Sequence, residues 1–391
     1  MLILAIVFWV SVAAIVYSYV GYLVIVGVLA RLFGRPWSRS DASLPTVAFV
    51  VPVYNEELVI ENKLRNILAL DYPGDKLTIW VGSDCSTDRT HELVQRSGDA
   101  RVHLWVAPVR GGKTQVINLL TPTIQGAEVV VLTDANTRHD VGSVRALVRS
   151  FADPRVGAVA GQIEHAATGS DASEERMYRG FESRLKEAEA LLHSCTSAYG
   201  GFYAIRRELF RPIPANAYSN DDVLIPAGIV RQGSRVVFDH EAVSREELAG
   251  DPRKEFSRRV RIGAGNFQAL GWMLDFVNPL RGWPAFCFAS HKLMRWISPL
   301  VLLTAFFSGA ALYVRGWTPV ALYGGVFWIG VVTLALTALA TVVPVRPLLG
   351  VRYFVAMNVA LLFGLARYAG GIHSAAWSPT DRGAAGSPPP V

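Results

Sequence analysis

Val129 to Thr137 reads VVVLTDANT, a run of apolar and β-branched residues that breaks into Asp134, Ala135 and Asn136. Such a run has the composition of a buried parallel strand, whose carboxyl end is where an open α/β sheet presents a ligand site. Asp134 and Asn136 are two residues apart, so on a continuing strand they share a face, and a turn after Asp134 still lets them converge. An acidic oxygen beside a neutral one at a strand end suits a hard divalent cation carrying a diphosphate. A strand followed by an Asx turn fits the same letters.

Working outward, apolar and charged-amphipathic segments alternate on both sides. Strand patterns at Leu44–Val53, Leu77–Val81, Val102–Val106 and Val156–Ala160 alternate with helical patterns at Glu57–Leu70, Ser86–Arg96, Gly111–Leu120 and Gly142–Phe151. The first helix places Leu58, Leu64, Ile67 and Leu68 near one stripe, and Ser86 or Thr87 suits the cap of the second. This alternation predicts a mostly parallel sheet with helices on its faces. Asp84 and Asp134 both end strands and are therefore expected at one edge. Glu174 to Leu192 reads as an amphipathic helix, with Met177, Phe181, Leu185, Ala188 and Leu192 on one side. Glu255 to Leu274 reads as a helix that is basic at its start.

The 391 residues are 51% hydrophobic and only 18% charged, and the apolar excess sits at the two ends. Residues 1–30 carry no charged side chain, long enough to span a bilayer and too long, without a basic start, for a cleaved leader. Arg31, Arg35 and Arg39 follow, which orients the middle of the chain to the cytoplasm. The organisation expected is a spanning helix at 1–30, an α/β domain at 43–283 and an interfacial helix at 284–296. Three spans over 297–369, with Arg346 and Arg352 in a connecting loop, and a disordered tail at 370–391 complete it. The net charge of +6 comes without lysine-rich, aromatic-interleaved clusters, which argues against a nucleic-acid partner. Cys85, Cys195 and Cys287 are isolated, with no metal-ligand or disulfide spacing. No candidate span holds an acidic residue, which argues against a transporter.

Taken together, VPVYNEE (51–57), GSDCSTDRT (82–90), GGKTQVINLL (111–120), TDANT (133–137), YGGFYAIRREL (199–209), NDDV (220–223) and RRVRIGAGNFQAL (258–270) form an ordered set. This set resembles the membrane glycosyltransferases of family 2, the group containing bacterial cellulose, hyaluronan and poly-N-acetylglucosamine synthases. The resemblance implies a GT-A-like, Rossmann-like α/β fold flanked by one N-terminal and about three C-terminal membrane helices. It implies inverting transfer from a nucleotide sugar, mostly UDP-linked, with Mg2+ or Mn2+ as cofactor. By the same resemblance Pro52, Tyr54 and Glu56 lie against the nucleotide, Asp84 holds its base or ribose, and Lys113 lies near it. Asp134 and Asn136 match the DxD metal motif, and Gly200 and Gly201 the floor of the acceptor site. Asp222, beside Asp221, matches the general base, while Arg258 and Arg261 match the diphosphate clamp of the QxxRW motif.

Two departures stand out: Asn136 replaces the second acid of DxD, and Ile262 replaces a tryptophan that would stack on a sugar. The function expected is transfer to a lipid-linked or growing glycan acceptor at the cytoplasmic face of a bacterial inner membrane. The alternatives are a processive synthase coupled to export and a catalytically silent UDP-sugar-binding subunit.

Overall fold

The computed structural model describes residues 1–165, 171–246, 252–343 and 345–372. In chain order, α1 (Leu2–Val16) and α2 (Tyr22–Phe33) lead to β1 (Val47–Val53), α3 (Ile60–Leu68), β2 (Leu77–Ser83), α4 (Thr90–Gln95) and β3 (Val102–Val106). Next come α5 (Lys113–Leu120), β4 (Val129–Thr133), β5 (Thr137–His139), α6 (Ser143–Val148), β6 (Val156–His165) and α7 (Asp171–Leu192). Then follow β7 (Phe202–Arg206), α8 (Asp221–Arg231), β8 (Arg235–Glu246) and α9 (Pro252–Trp272). The chain closes with α10 (Trp283–Cys287), α11 (Met294–Val314), α12 (Val320–Leu339) and α13 (Arg346–Ala369). They divide between two compact units.

The first unit, within Pro36–Ala167 and Ser197–Glu255, is built on an eight-stranded sheet of order β3-β2-β1-β4-β7-β6-β8-β5. The strands β3, β2, β1 and β4 are parallel, β7 runs antiparallel to both β4 and β6, and β6 is parallel to β8. Every residue of β1 and β4 is buried, which is why both read as unbroken apolar runs. Pro52 is tolerated in a central strand because the ladder from β1 to β4 stops at Val50, leaving β2 as its neighbour there. The apolar run at 129–137 is two strands: β4 ends at Thr133, and Asp134–Asn136 turn the chain into β5, which pairs with β8.

Several elements differ from expectation. The helix expected over 57–70 starts at Ile60, and its buried face is Ile60, Lys63, Leu64 and Ile67, with Leu58 exposed. The helix expected from Ser86 starts at Thr90, because Ser86 and Thr87 bond a neighbouring loop instead of capping it. Strand β6 runs on past Ala160 through a register shift to His165, and β8 arises where no strand was expected.

The second unit comprises Met1–Arg35, Thr168–Thr196 and Phe256–Gly371. Among the described residues four of its helical runs are long and apolar enough to cross a membrane: Leu2–Phe33, Trp283–Val314, Val320–Leu339 and Pro347–Ala369. The interfacial helix and the following span expected either side of residue 297 are one continuous run, Trp283–Val314, with a π-turn at Phe288–Leu293. Arg352, expected in a loop, lies inside α13, whose 24 residues span about 36 Å at 1.5 Å each. That exceeds a hydrocarbon core of about 30 Å, so the first turns can carry charge outside it. Helices α9 and α13 meet backbone to backbone at Gly263 and Gly364, where a Cβ on Gly364 would lie 2.7 Å from the Ala264 nitrogen. The tail expected to be disordered falls, from residue 373 on, outside the described residues.

The apolar face of α7 packs as its pattern predicts: Leu185 and Leu192 are buried against Tyr22, Val26 and Ala30 of α2 and Cys287, with Phe181 and Ala188 at the margin. Its other residues do something the pattern does not announce. Glu182 and Glu189 are buried and face the helix that follows residue 283. Glu189 accepts from Tyr22 Oη at 2.8 Å and meets His291 Nδ1 at 2.8 Å. Glu182 meets His291 Nε2 at 3.1 Å, Lys292 Nζ at 2.8 Å and Arg295 Nη1 at 3.0 Å. Burial works against the charge on Glu182, but His291, Lys292 and Arg295 outweigh it and hold its pKa well below the usual range.

Breaking such a buried network from one side costs about 3–5 kcal/mol, because the remaining charges stay buried without a partner. Glu182→Ala is therefore expected to lower the thermal midpoint in detergent sharply. The Glu61–Arg65 pair is exposed at both ends, and Glu61→Ala should move stability by no more than about 0.5 kcal/mol. Thermal unfolding of the two variants side by side checks the ordering.

Candidate active site

The carboxyl ends of β1, β2 and β4 gather three loops at one edge of the sheet. The first two hold each other. Asn55 takes a left-handed conformation at φ 55°, and its backbone N–H donates to Ser86 Oγ at 3.1 Å. Thr87 N–H donates back to Asn55 Oδ1 at 2.8 Å, and Glu56 N–H donates to Thr90 Oγ1 at 2.9 Å. Tyr54 lies beneath the guanidinium of Arg110, whose Cζ is 3.7 Å from the ring centroid.

Asp84 is fully buried, and both its oxygens are engaged by the protein's own backbone: Gly111 N–H donates at 2.8 Å and Gly112 N–H at 3.0 Å. Gly112 has φ 88°, a conformation that favours glycine. The aspartate expected at the nucleotide also shapes the Gly111–Lys113 turn.

That turn delivers Lys113, the first residue of α5, to the carboxylates. Its Nζ is 2.8 Å from Asp134 Oδ1, 3.2 Å from Asp221 Oδ1 and 3.4 Å from the Gly200 carbonyl oxygen. Burial works against the ammonium charge, yet Asp134 and Asp221 outweigh it and raise its pKa well above the ordinary lysine value. Asp221 is buried and also accepts from Tyr203 Oη at 3.1 Å. Burial, with the nearby carboxylates adding to it, pushes the Tyr203 phenol well up, so it is a donor here. Asp222 adjoins on α8, its carbonyl accepting from Ala198 N–H at 2.8 Å. A Cβ on Gly200 would lie 3.6 Å from Lys113 Nζ and 3.7 Å from Asp222 Oδ2, so this glycine borders both groups.

The Asp134–Asn136 turn rests on a buried lysine that sequence reasoning missed. Lys63 of α3 is 2% exposed, and its Nζ lies 2.8 Å from Thr133 Oγ1, 2.8 Å from Thr137 O, 2.8 Å from Thr137 Oγ1 and 2.9 Å from His139 Nε2. The signal was present: position 63 falls on the stripe of Ile60, Leu64 and Ile67, where a lysine is out of place. Burial pushes the Lys63 pKa well down while the charge of Asp134 opposes it. Burial, and then Lys63, push that of His139 down as well, so the imidazole is neutral and accepts at Nε2.

The donor set at this turn is a carboxylate, 37% exposed, and a side-chain amide that donates to Glu246 Oε1 at 3.3 Å through its nitrogen and keeps its oxygen for another partner. Hard oxygens of this kind suit Mg2+ or Mn2+, which take few protein ligands and keep waters. The ammonium of Lys113 already marks Asp134 as a seat for positive charge.

Pro52, Tyr54, Glu56, Asp84, Lys113, Asp134, Asn136, Gly200, Gly201, Asp221 and Asp222 all belong to the sheet-bearing unit. Arg258 and Arg261 lie on α9 and belong to the other.

A mostly parallel mixed sheet with its acidic loops gathered at one edge is the GT-A arrangement. The chain aligns over 93% of its length, and 99% of the other's, with the mannosyltransferase PcManGT of Pyrobaculum calidifontis in complex with GDP-Man and Mn2+, at a TM-score of 0.69 and 24% identity. Residues 48–213 match the model of glycosyl transferase family 2, and the chain carries a domain of that family. It is 32% identical over 138 residues to a beta-monoglucosyldiacylglycerol synthase of Trichormus variabilis, covering 34% of this chain and 29% of that protein. It is 33% identical over 252 residues to a poly-beta-1,6-N-acetyl-D-glucosamine synthase of Staphylococcus aureus, covering 61% of this chain and 58% of that protein. The matched stretch thus spans under a third of the first relative's length and under two thirds of the second's.

Removing the Asp84 carboxylate leaves two inward-facing amides without an acceptor, at about 1–3 kcal/mol for a buried donor. Asp84→Ala is expected to lower stability by that order and to speed hydrogen exchange at the Gly111 and Gly112 amides. Unchanged exchange there would separate Asp84 from the turn.

Proposed function

We propose that the chain is a membrane-anchored inverting glycosyltransferase. It moves a sugar from a nucleotide sugar, UDP-linked in the first instance, to a lipid-linked or growing glycan acceptor. The observation that carries the reading is the convergence of Asp134 and Asp221 on Lys113, with Asp222 beside them and Gly200 at their border. A relative named for a glucosyl-diacylglycerol product supports a lipid acceptor, and one named for a polysaccharide supports a growing glycan. Ile262 in place of an indole supports single addition over processive synthesis. Arg31, Arg35 and Arg39 after the first span support a cytoplasmic catalytic domain.

In this reading Asp222 is the general base. It takes the proton of the acceptor hydroxyl as that oxygen bonds to the anomeric carbon. The bond from that carbon to the diphosphate breaks on the opposite face, and the nucleotide diphosphate leaves with the electron pair. Asp221, held by Tyr203 and Lys113, keeps the start of α8 in place. Asp134 and the Asn136 oxygen hold Mg2+ or Mn2+, which when bound offsets the charge gathering on the leaving diphosphate. Lys113 serves the same end. Arg258 and Arg261 of the second unit lie three apart on one face of α9, the spacing of the family's clamp motif. Tyr54 lies against the nucleotide with Pro52 and Glu56, and Gly200 and Gly201 floor the acceptor side.

Purified protein in detergent, given Mn2+, diacylglycerol and a panel of UDP- and GDP-sugars, should release nucleotide from at least one donor. Asp222→Asn should cut that release by roughly 100- to 10,000-fold, the range for loss of a general base. Nucleotide binding should be retained. Activity that survives the substitution rejects Asp222 as the base.

A further inference from the structure

Lys63 is buried, and among the described residues no carboxylate lies within 4.0 Å of its Nζ, so what it does must be read from its neutral partners. Thr137 Oγ1 lies 2.8 Å from the carbonyl of Asp134, closing the turn that contains Asp134 and Asn136. Thr133 Oγ1 lies 2.8 Å from the carbonyl of Gly201, and the two hydroxyl oxygens sit 2.8 Å apart. Lys63 Nζ sits between them, 2.8 Å from each, and lies also 2.8 Å from the Thr137 carbonyl and 2.9 Å from His139 Nε2, with His139 Nδ1 facing Ser244 Oγ.

A second grip lies one turn along the same helix face. Asn66 Nδ2 donates to the His139 carbonyl at 2.9 Å, and His139 N–H donates to Asn66 Oδ1 at 2.7 Å. Helix α3 thus holds β5 from both sides of its backbone, and β5 is the strand that leaves the Asp134–Asn136 turn. Through Thr133 the lysine is linked to Gly201, where the fit is close: a Cβ there would lie 2.7 Å from Thr137 Cγ2 and 3.8 Å from Asp134 Oδ2.

We propose that Lys63 is a positioning residue, a buried amine that locks the Asp134–Asn136 turn and the Gly201 backbone to one another and so sets the affinity of the shelf for its divalent ion. It acts through Thr137 on the turn and through Thr133 on Gly201, and touches neither donor nor acceptor. The Asn136 departure gives the lock its purpose. A neutral oxygen attracts a cation less than a second carboxylate would, so the site depends more on being held in shape. Groups behind a ligand set commonly change metal affinity by roughly 10- to 100-fold when removed. The inference rests on the reading of Asp134 and Asn136 as that shelf.

The test is Mn2+ binding to the full chain in detergent with UDP present, read from the spin-resonance signal of free Mn2+, which needs no turnover. Thr137→Val keeps the shape and removes the hydroxyl. It should weaken binding roughly tenfold or more, the range for losing a group that holds a metal ligand in place. Thr137→Ser should restore it, a rescue that a purely packing role would not give. Lys63→Met should weaken binding at least as far; if it fails to fold, the threonine pair decides alone. Asp134→Ala, run alongside, separates the two claims. Wild-type affinity in Thr137→Val, with binding lost in Asp134→Ala, overturns the positioning role and leaves the shelf standing. Wild-type affinity in Asp134→Ala overturns the shelf and this inference with it.

Discussion

The ammonium of Lys113 is what allows acidic side chains from distant parts of the chain to share one edge of the sheet. Two unit charges 4 Å apart repel by about 4 kcal/mol at an effective dielectric near 20, so carboxylates do not assemble there unaided. Asp134 arrives from the end of β4 and Asp221 from the start of α8, and both are within 3.2 Å of Lys113 Nζ. The lysine is delivered by the Gly111–Gly112 turn, and that turn is held by the buried carboxylate of Asp84. The dependence therefore runs from β2, through Asp84 and two backbone amides, to Lys113 and the site.

A second lysine works from beneath. Lys63 has no ion-pair partner among the described residues and is satisfied by hydroxyls, a carbonyl and an imidazole. The membrane unit shows the contrasting solution: Glu182 is paired with Lys292 and Arg295 and shares His291 with Glu189. In both places burial alone would be costly, and complete hydrogen bonding offsets that cost. The difference is what each arrangement holds. The ionic network of α7 ties helices together, while Lys63 ties together two short backbone segments that carry the site.

Much of this was legible in the sequence wherever burial is two-sided. Strands β1 and β4 are apolar throughout, so their limits and the acids at their ends could be read directly, and the glycines at 111, 112, 200 and 201 marked the loops between them. Interactions between segments distant in sequence were not legible. Ser86 and Thr87 look like helix caps, but their partner is Asn55, and nothing local announces it. Strand β8 escaped notice because Asp239, His240 and Glu241 interrupt its apolar pattern; Asp239 is buried only because Arg149 pairs with it at 2.9 Å. The position of Asp84 at a strand end says nothing of the Gly111 and Gly112 amides that donate to it. Arg352 was read as a loop marker because charge near an apolar run suggests an end, whereas α13 is long enough to carry it within the helix.

The central claim is that the sheet edge at Asp134, Lys113 and Asp222 is where a nucleotide sugar is bound and its sugar transferred. Anomalous scattering from manganese, in crystals of the full chain grown with Mn2+ and UDP, tests it most directly. The account predicts one strong peak in ligand contact with the Asp134 carboxylate, with the diphosphate beside it and within reach of Lys113. A nucleotide bound elsewhere, or bound at this edge with no manganese at Asp134, would contradict it.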